Sequence, residues 1–199
     1  MLRLRIKLVF RLFLFISSIH FAYPQGIYID NSNTEGLFIV SSYSKHDQIQ
    51  SLYDYSIDLR LVKNNFEFSA EYYMNKQNLD NNDYRSNEFN IYSFKYYYKV
   101  RNKIILGFKV KDYRKYKSLE NIQSYSFLLS KNFYSSESDL SYYPYIEYEK
   151  ATEENILFAP DYFYIGCVIK DGNFFVEPFI RKNNSNDEKY SGIKLGFEI

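Results

Sequence analysis

Tyr190-Ser191-Gly192-Ile193-Lys194-Leu195-Gly196-Phe197-Glu198-Ile199 alternates between two kinds of residue. In an extended strand, successive side chains point to opposite faces. Ile193, Leu195, Phe197 and Ile199 therefore share one face, and Gly192, Lys194, Gly196 and Glu198 share the other. The first face suits an apolar medium; the second is small or charged. The sequence ends on this strand. An apolar strand at the margin of a soluble sheet leaves an exposed edge, whereas a closed membrane barrel pairs its last strand with its first and leaves none. The stretch predicts an all-β fold, an antiparallel transmembrane β-barrel that this strand closes.

Composition agrees with that expectation. The 199 residues argue for one domain. Lys and Arg number 25 against 24 Asp and Glu, a formal net charge of +1. This balance gives no bulk electrostatic case for a nucleic-acid partner, and a sugar- or nucleic-acid-binding platform is not expected. The 23 Tyr and 18 Phe, with no Trp, suit strands whose rings lie between an apolar phase and water. The mean hydropathy of −0.44 does not oppose a barrel, because half of every strand faces a polar interior. Cys167 is the one cysteine, which excludes an internal disulfide and a thiolate metal cluster. It lies between Ile165 and Ile169 on an apolar face and reads as an inert small hydrophobe. No cofactor and no metal site are expected.

The start of the chain reads as an export signal. Arg3, Arg5, Lys7 and Arg11 form a basic region, Leu12 to Ile19 a short apolar core, and Ala22 a small residue for cleavage. The expected division is a signal peptide at 1–22, a periplasmic lead-in at 23–35 and the barrel at 36–199. An uncleaved anchor helix is the alternative, but the uncharged run is short for a bilayer. No later stretch reaches the 18 apolar residues of a transmembrane helix, and no cysteine follows the apolar core to carry a lipid anchor.

From about Gly36 the hydrophobic period is two. Leu37–Ser44 is a first strand with unreadable faces. Clear alternation follows from Tyr53 to Leu61, Phe66 to Tyr73, Tyr92 to Val100, Ile104 to Lys111, Gln123 to Ser130, Leu140 to Glu149, Phe163 to Lys170 and Phe174 to Arg181. With the closing strand this makes about ten strands, and eight to twelve fit an even-numbered barrel. The connections alternate. Tight turns are expected at Lys63–Asn65, Arg101–Lys103 and Asp171–Asn173, with a longer one at Lys131–Asp139. Long polar loops are expected at Lys45–Gln50, Asn75–Asn87, Asp112–Asn121, Lys150–Asp161 and Lys182–Lys189. That asymmetry is expected of short periplasmic turns and long extracellular loops. Pro144 and Pro178 each remove a ladder donor, which a bulge or the strand rim is expected to absorb.

The polar faces place many charges in the lumen: Asp54, Asp58, Arg60, Glu67, Glu71, Lys95, Lys99, Lys109, Lys111, Glu147, Glu149, Lys170, Glu177, Arg181, Lys194 and Glu198. They line a solute path or pair across a packed interior; pairing is the favoured reading, since small barrels have little more than side-chain room. His46 beside Asp47 is the candidate base with an orienting carboxylate, read against a solvated loop histidine. Adjacent residues point apart, which weighs against the pair. Ile156–Pro160 forms an apolar run that covers the mouth or meets a partner. Tyr72, Tyr92, Tyr148 and Tyr162 read as interface anchors.

The signal, alternation, loop asymmetry and final strand together resemble the small outer-membrane β-barrel proteins of Gram-negative envelopes, porin-like proteins among them. The resemblance covers residues 36–199. It implies that Gly192, Leu195 and Phe197 form the recognition pattern for the barrel-assembly machinery. It also implies outer-membrane lipid as surroundings and the long loops as sites for an external ligand. The function expected is that of a non-enzymatic barrel in the outer membrane, structural and loop-presenting or a small-solute channel. The alternative is an outer-membrane lipid hydrolase, acyltransferase or protease using His46.

Overall fold

A computed structural model describes residues 35–47, 52–78, 84–100, 104–116, 121–134, 140–152, 161–185 and 187–199. The signal peptide expected at 1–22, the lead-in up to residue 34 and the Ile156–Pro160 run lie outside the described residues. The strands are β1 (Glu35–His46), β2 (Leu52–Lys63), β3 (Phe66–Asn78), β4 (Tyr84–Lys99), β5 (Ile104–Lys115), β6 (Asn121–Lys131), the two-residue β7 (Phe133–Tyr134), β8 (Leu140–Ala151), β9 (Asp161–Asp171), β10 (Phe174–Asn183) and β11 (Lys189–Glu198). Each long strand pairs antiparallel with its neighbours in the chain, β6 pairs with β8, and β1 pairs with β11. Ten long strands thus close on themselves, and β7 prolongs the line of β6 along β8.

Closure comes from the C-terminal strand. Ile39 lies opposite Phe197, Ser41 opposite Leu195 and Tyr43 opposite Ile193, all on the outer face. Outside, β2 exposes Leu61, Leu59, Ile57 and Tyr55, and β5 exposes Leu106, Phe108 and Val110. The inner faces bury Asp54, Asp58, Glu67, Lys95, Glu147 and Glu177. An apolar exterior around buried charge is the polarity of a membrane barrel and the reverse of a soluble one. Two tight turns use the left-handed region, Asn64 and Gly172 both at φ 54°. Asn and Gly tolerate that conformation best.

Several strands run further toward the long-loop end than alternation indicates. Asn75–Asn78 and Tyr84–Asn87, expected in a loop, continue the β3–β4 ladder from Asn75↔Asn87 to Asn78↔Tyr84. Asp112–Lys115 likewise belongs to β5, and His46 ends β1. The reason is physical: backbone pairing continues above the apolar belt, where both faces are polar and the period of two carries no hydropathy signal.

The prolines are not absorbed by bulges or by the rim. Ser130 pairs with Tyr145 and Phe133 with Tyr142, so the register is unchanged across Pro144. Val176 pairs with Ile169 and Phe179 with Gly166, so it is also unchanged across Pro178. The ladder is simply interrupted at each proline, because a proline offers no N–H.

Candidate functional site

The lumen has two unlike halves. At the short-turn end, Phe38, Val40, Val62, Tyr97, Ile105, Leu128, Tyr143, Tyr145, Val168 and Phe175 point inward and form one buried cluster. Phe38 and Phe175 meet edge to face across the closing seam, with ring centroids 6.1 Å apart. Glycines make room for these rings. A Cβ on Gly196 would lie 2.1 Å from Phe175 Cε1, and one on Gly166 would lie 2.7 Å from Tyr145 Cζ. These inward aromatics form an apolar floor built from the wall itself. They also explain the unreadable first strand: Phe38 and Val40 face in while Leu37 and Ile39 face out, so both faces are apolar there.

Above the floor, each of four carboxylates is held by a cation and a tyrosine hydroxyl. Lys194 Nζ and Tyr145 OH donate to Glu177 Oε1 at 2.5 and 2.6 Å. Lys111 Nζ donates to Glu149 Oε2 at 2.7 Å, and Tyr113 and Ser124 donate to its other oxygen. Tyr97 donates to Glu67, and Lys95 lies directly opposite Glu67 in the β3–β4 register. Asp54 accepts from Arg181, from Ser44 at 3.1 Å and from Asn75 at 2.7 Å, and also carries a Tyr73 hydroxyl. Lys109 meets Glu147 at 2.5 Å, and Arg60 grips Asp58 through two bonds of 2.8 and 2.7 Å. Buried charge paired this fully is held in place, since separating a pair would leave a charge without compensation in the wall.

The remaining lumen charges are Glu71, Lys99, Lys170 and Glu198. Glu71 lines the cavity and sits opposite Asp58 in the β2–β3 register. Lys99 is half-buried near the short-turn rim. Lys170 pairs with Glu198 at 3.1 Å.

A cavity of about 970 Å³ rises from the charged belt toward the long-loop end. Its wall includes Tyr73, Phe89, Tyr113, Tyr162, Tyr164, Tyr190, Asn75 and Asn87. Arg181 is clamped there, its guanidinium 4.6 Å from the Tyr162 ring centre and 4.2 Å from that of Tyr190. Tyr162, expected as an interface anchor, is instead an inward residue, because it shares the face of Tyr164 on β9. Tyr72, Tyr92 and Tyr148 are exposed on the outer wall.

His46 is not a solvated loop residue. It is 1% exposed, on the inner face at the end of β1, and packs edge-on to Tyr190 at 4.9 Å. Asp47 is exposed and accepts a bond from Ser191 at 2.8 Å. The two side chains diverge, so Asp47 does not orient the imidazole. Among the described residues, no three His, Cys, Asp or Glu side chains are placed to share a metal ion. Of the expected insertion pattern, Leu195 and Phe197 face outward. Gly192 lies where a Cβ would be 2.5 Å from Phe179.

No protein-family model and no curated protein matches the chain. Solved structures do. The beta domain of the Bordetella autotransporter BrkA matches at a TM-score of 0.46 and 8% identity, covering 83% of this chain and 99% of that one. Salmonella typhi OmpF, in complex with daunomycin, matches at 0.32 and 13%, covering 80% and 61%. A loop L8 deletion mutant of OmpT, an outer membrane protein of Vibrio cholerae, matches at 0.31 and 10%, covering 91% and 70%. The barrel stands on the chain's own pairing, ten long strands closed between β1 and β11.

Proposed function

We propose that the chain is a non-enzymatic outer-membrane barrel that does not conduct, holding a cup and its long loops at the membrane surface. The observation that carries this reading is the apolar floor. Phe38, Val62, Tyr97, Ile105, Val168 and Phe175 are at most 1% exposed, and they belong to the strands rather than to a movable plug. Water and ions cross such a packed layer poorly, because nothing in it replaces their hydration. The exterior supports lipid as the surrounding phase, and the barrel-assembly machinery is the partner that such a fold requires for insertion. The long loops and the cavity beneath them are the surface open to an external ligand.

Conductance in a planar bilayer tests the reading. Purified, refolded protein should insert and stay electrically silent. Steady single-channel steps that shift on neutralising Lys95 or Lys109 would restore the small-solute channel in its place. The hydrolase alternative has less support, since His46 packs on Tyr190 and turns away from Asp47.

A further inference from the structure

Two like-charged pairs face each other across neighbouring strands of the lumen wall. Lys95 on β4 lies opposite Lys109 on β5, and Glu71 on β3 lies opposite Asp58 on β2. Like charges in direct register repel. One member of each pair is engaged elsewhere: Lys109 meets Glu147 at 2.5 Å, and Arg60 holds Asp58 through two bonds. The other member is left over. Among the described residues, Lys95 and Glu71 make no hydrogen bond and no ion pair. Glu67, opposite Lys95, takes its hydrogen bond from Tyr97 instead. Lys95 is 4% exposed yet lines the cavity, as does the half-buried Glu71. An ammonium taken out of water without a bonded counter-charge is costly, so the bottom of the cavity favours an anion beside Lys95. A cation is favoured beside Glu71 for the same reason.

The spacing of the two charges limits what fits. Glu71 pairs with Ile91 and Glu67 with Lys95, so they stand four residues of strand apart, about 13 Å. Lys95 is the deeper, one inward position from Tyr97 of the floor. Glu71 is nearer the long-loop end. Between them Ser69 and Ser93 face each other with hydroxyls 2.7 Å apart, both on the cavity wall. These small side chains leave room, and their hydroxyls both donate and accept. At and above the height of Glu71 the wall carries Tyr113, Tyr73 and Phe89. A ligand suited to this order leads with a carboxylate, trails an ammonium and has polar groups between. A single amino acid is too short. Two or three extended residues span about 7–10 Å. A hydrogen bond of about 3 Å at each end completes the distance.

We propose that the cavity is a binding site for a short peptide with both termini free, its carboxylate on Lys95 and its ammonium on Glu71. This rests on the reading of the barrel as a closed cup and gives that cup a ligand class. The test is calorimetric titration of the full refolded protein in detergent micelles with tri-alanine. Tri-alanine should bind, and its N-acetylated form, its C-amidated form and alanine alone should each bind about tenfold more weakly. In Glu71→Gln the acetylated and free peptides should bind alike, with the amide still disfavoured. In Lys95→Gln the amide and free peptide should bind alike, with the acetylated form still disfavoured. Glu71→Gln strands no partner and removes the repulsion from Asp58, so it keeps the test decisive if Lys95→Gln fails to fold. No binding of tri-alanine, or equal binding of free and capped peptides, would overturn the site and leave the silent barrel standing. Conductance steps from the same preparation in a planar bilayer would instead overturn the closed cup, and with it a site that ends at the floor.

Discussion

The short-turn half and the long-loop half of this barrel solve the same problem in opposite ways. Both must line an interior narrow enough for side chains to meet across it. The short-turn half fills it with apolar rings and uses glycines as sockets: Phe175 over Gly196 and Tyr145 over Gly166. The long-loop half lines it with charge below an open cavity, most of its carboxylates tied to a cation and several to a tyrosine hydroxyl. The first half gains from removing apolar surface from water; the second has no such gain and holds only while its pairs are complete. The difference predicts that single truncations will be costliest where they strand a charge.

Arg181→Ala is the most damaging change expected. It removes the cation from Asp54, which stays buried with only Ser44, Asn75 and Tyr73 as donors, and it unstacks Tyr162 and Tyr190. Breaking one partner of a buried pair costs about 3–5 kcal/mol. Denaturant unfolding, followed by the heat-modifiable band on gels, measures it. Adding Asp54→Ala should return a large part of the loss, because the stranded charge goes too. If the double variant is no more stable than the single one, the upper half is held by packing, and the contrast between the halves fails.

Phe175→Ala comes next, at about 3 kcal/mol for a buried ring lost to a cavity. It is also the change most able to perforate the floor, so silent bilayers should begin to show conductance. Stability loss without any steps would mean that the remaining rings reseal the layer. Gly196→Ala is smaller, about 1–3 kcal/mol from overpacking, since its Cβ meets the Phe175 ring at 2.1 Å. Combined with Phe175→Ala it should cost less than the two losses summed, because each change makes room for the other. Additive losses would show that Gly196 is needed for a reason other than its socket.

The two halves were also unequally legible in the sequence. Where the interior is charged and the exterior apolar, alternation marks both faces, and the strand from Tyr53 to Leu61 could be read residue by residue. Where the floor is apolar, β1 presents Phe38 and Val40 inward and Leu37 and Ile39 outward, and hydropathy cannot separate them. Above the membrane belt the opposite occurs: Asn75–Asn78 and Asp112–Lys115 are polar on both sides, so they read as loop though they pair as strand. The residues carrying the charged belt were identifiable by face, but their partners were not. The link from Arg181 to Asp54 crosses 127 positions of sequence, and only the closing of β1 on β11 brings them together. The prolines were visible and their consequence was not, because register on both sides must be known before a missing donor can be told from a bulge.

The smallest expected effect concerns a pair that resembles Arg181–Asp54 in chemistry and differs from it in burial. Lys182 Nζ, near the end of β10, lies 2.5 Å from Asp187 Oδ1 in the connection to β11, and the side chains are 42% and 78% exposed. The hydrogen bond and charge of Lys182 hold the Asp187 carboxyl below its ordinary range. With the folded-state pKa lowered, whatever stability the pair adds is present above the usual carboxylate range and is lost as pH falls through the lowered value. In water that contribution is slight and screened by salt. Lys182→Ala should therefore move the Asp187 titration, read by NMR, back toward its ordinary value while leaving the unfolding midpoint where it was. A midpoint shift as large as that of Arg181→Ala would mean that burial is not what separates the two pairs. The distinction between a wall that depends on its charges and a rim that merely carries them would then be lost.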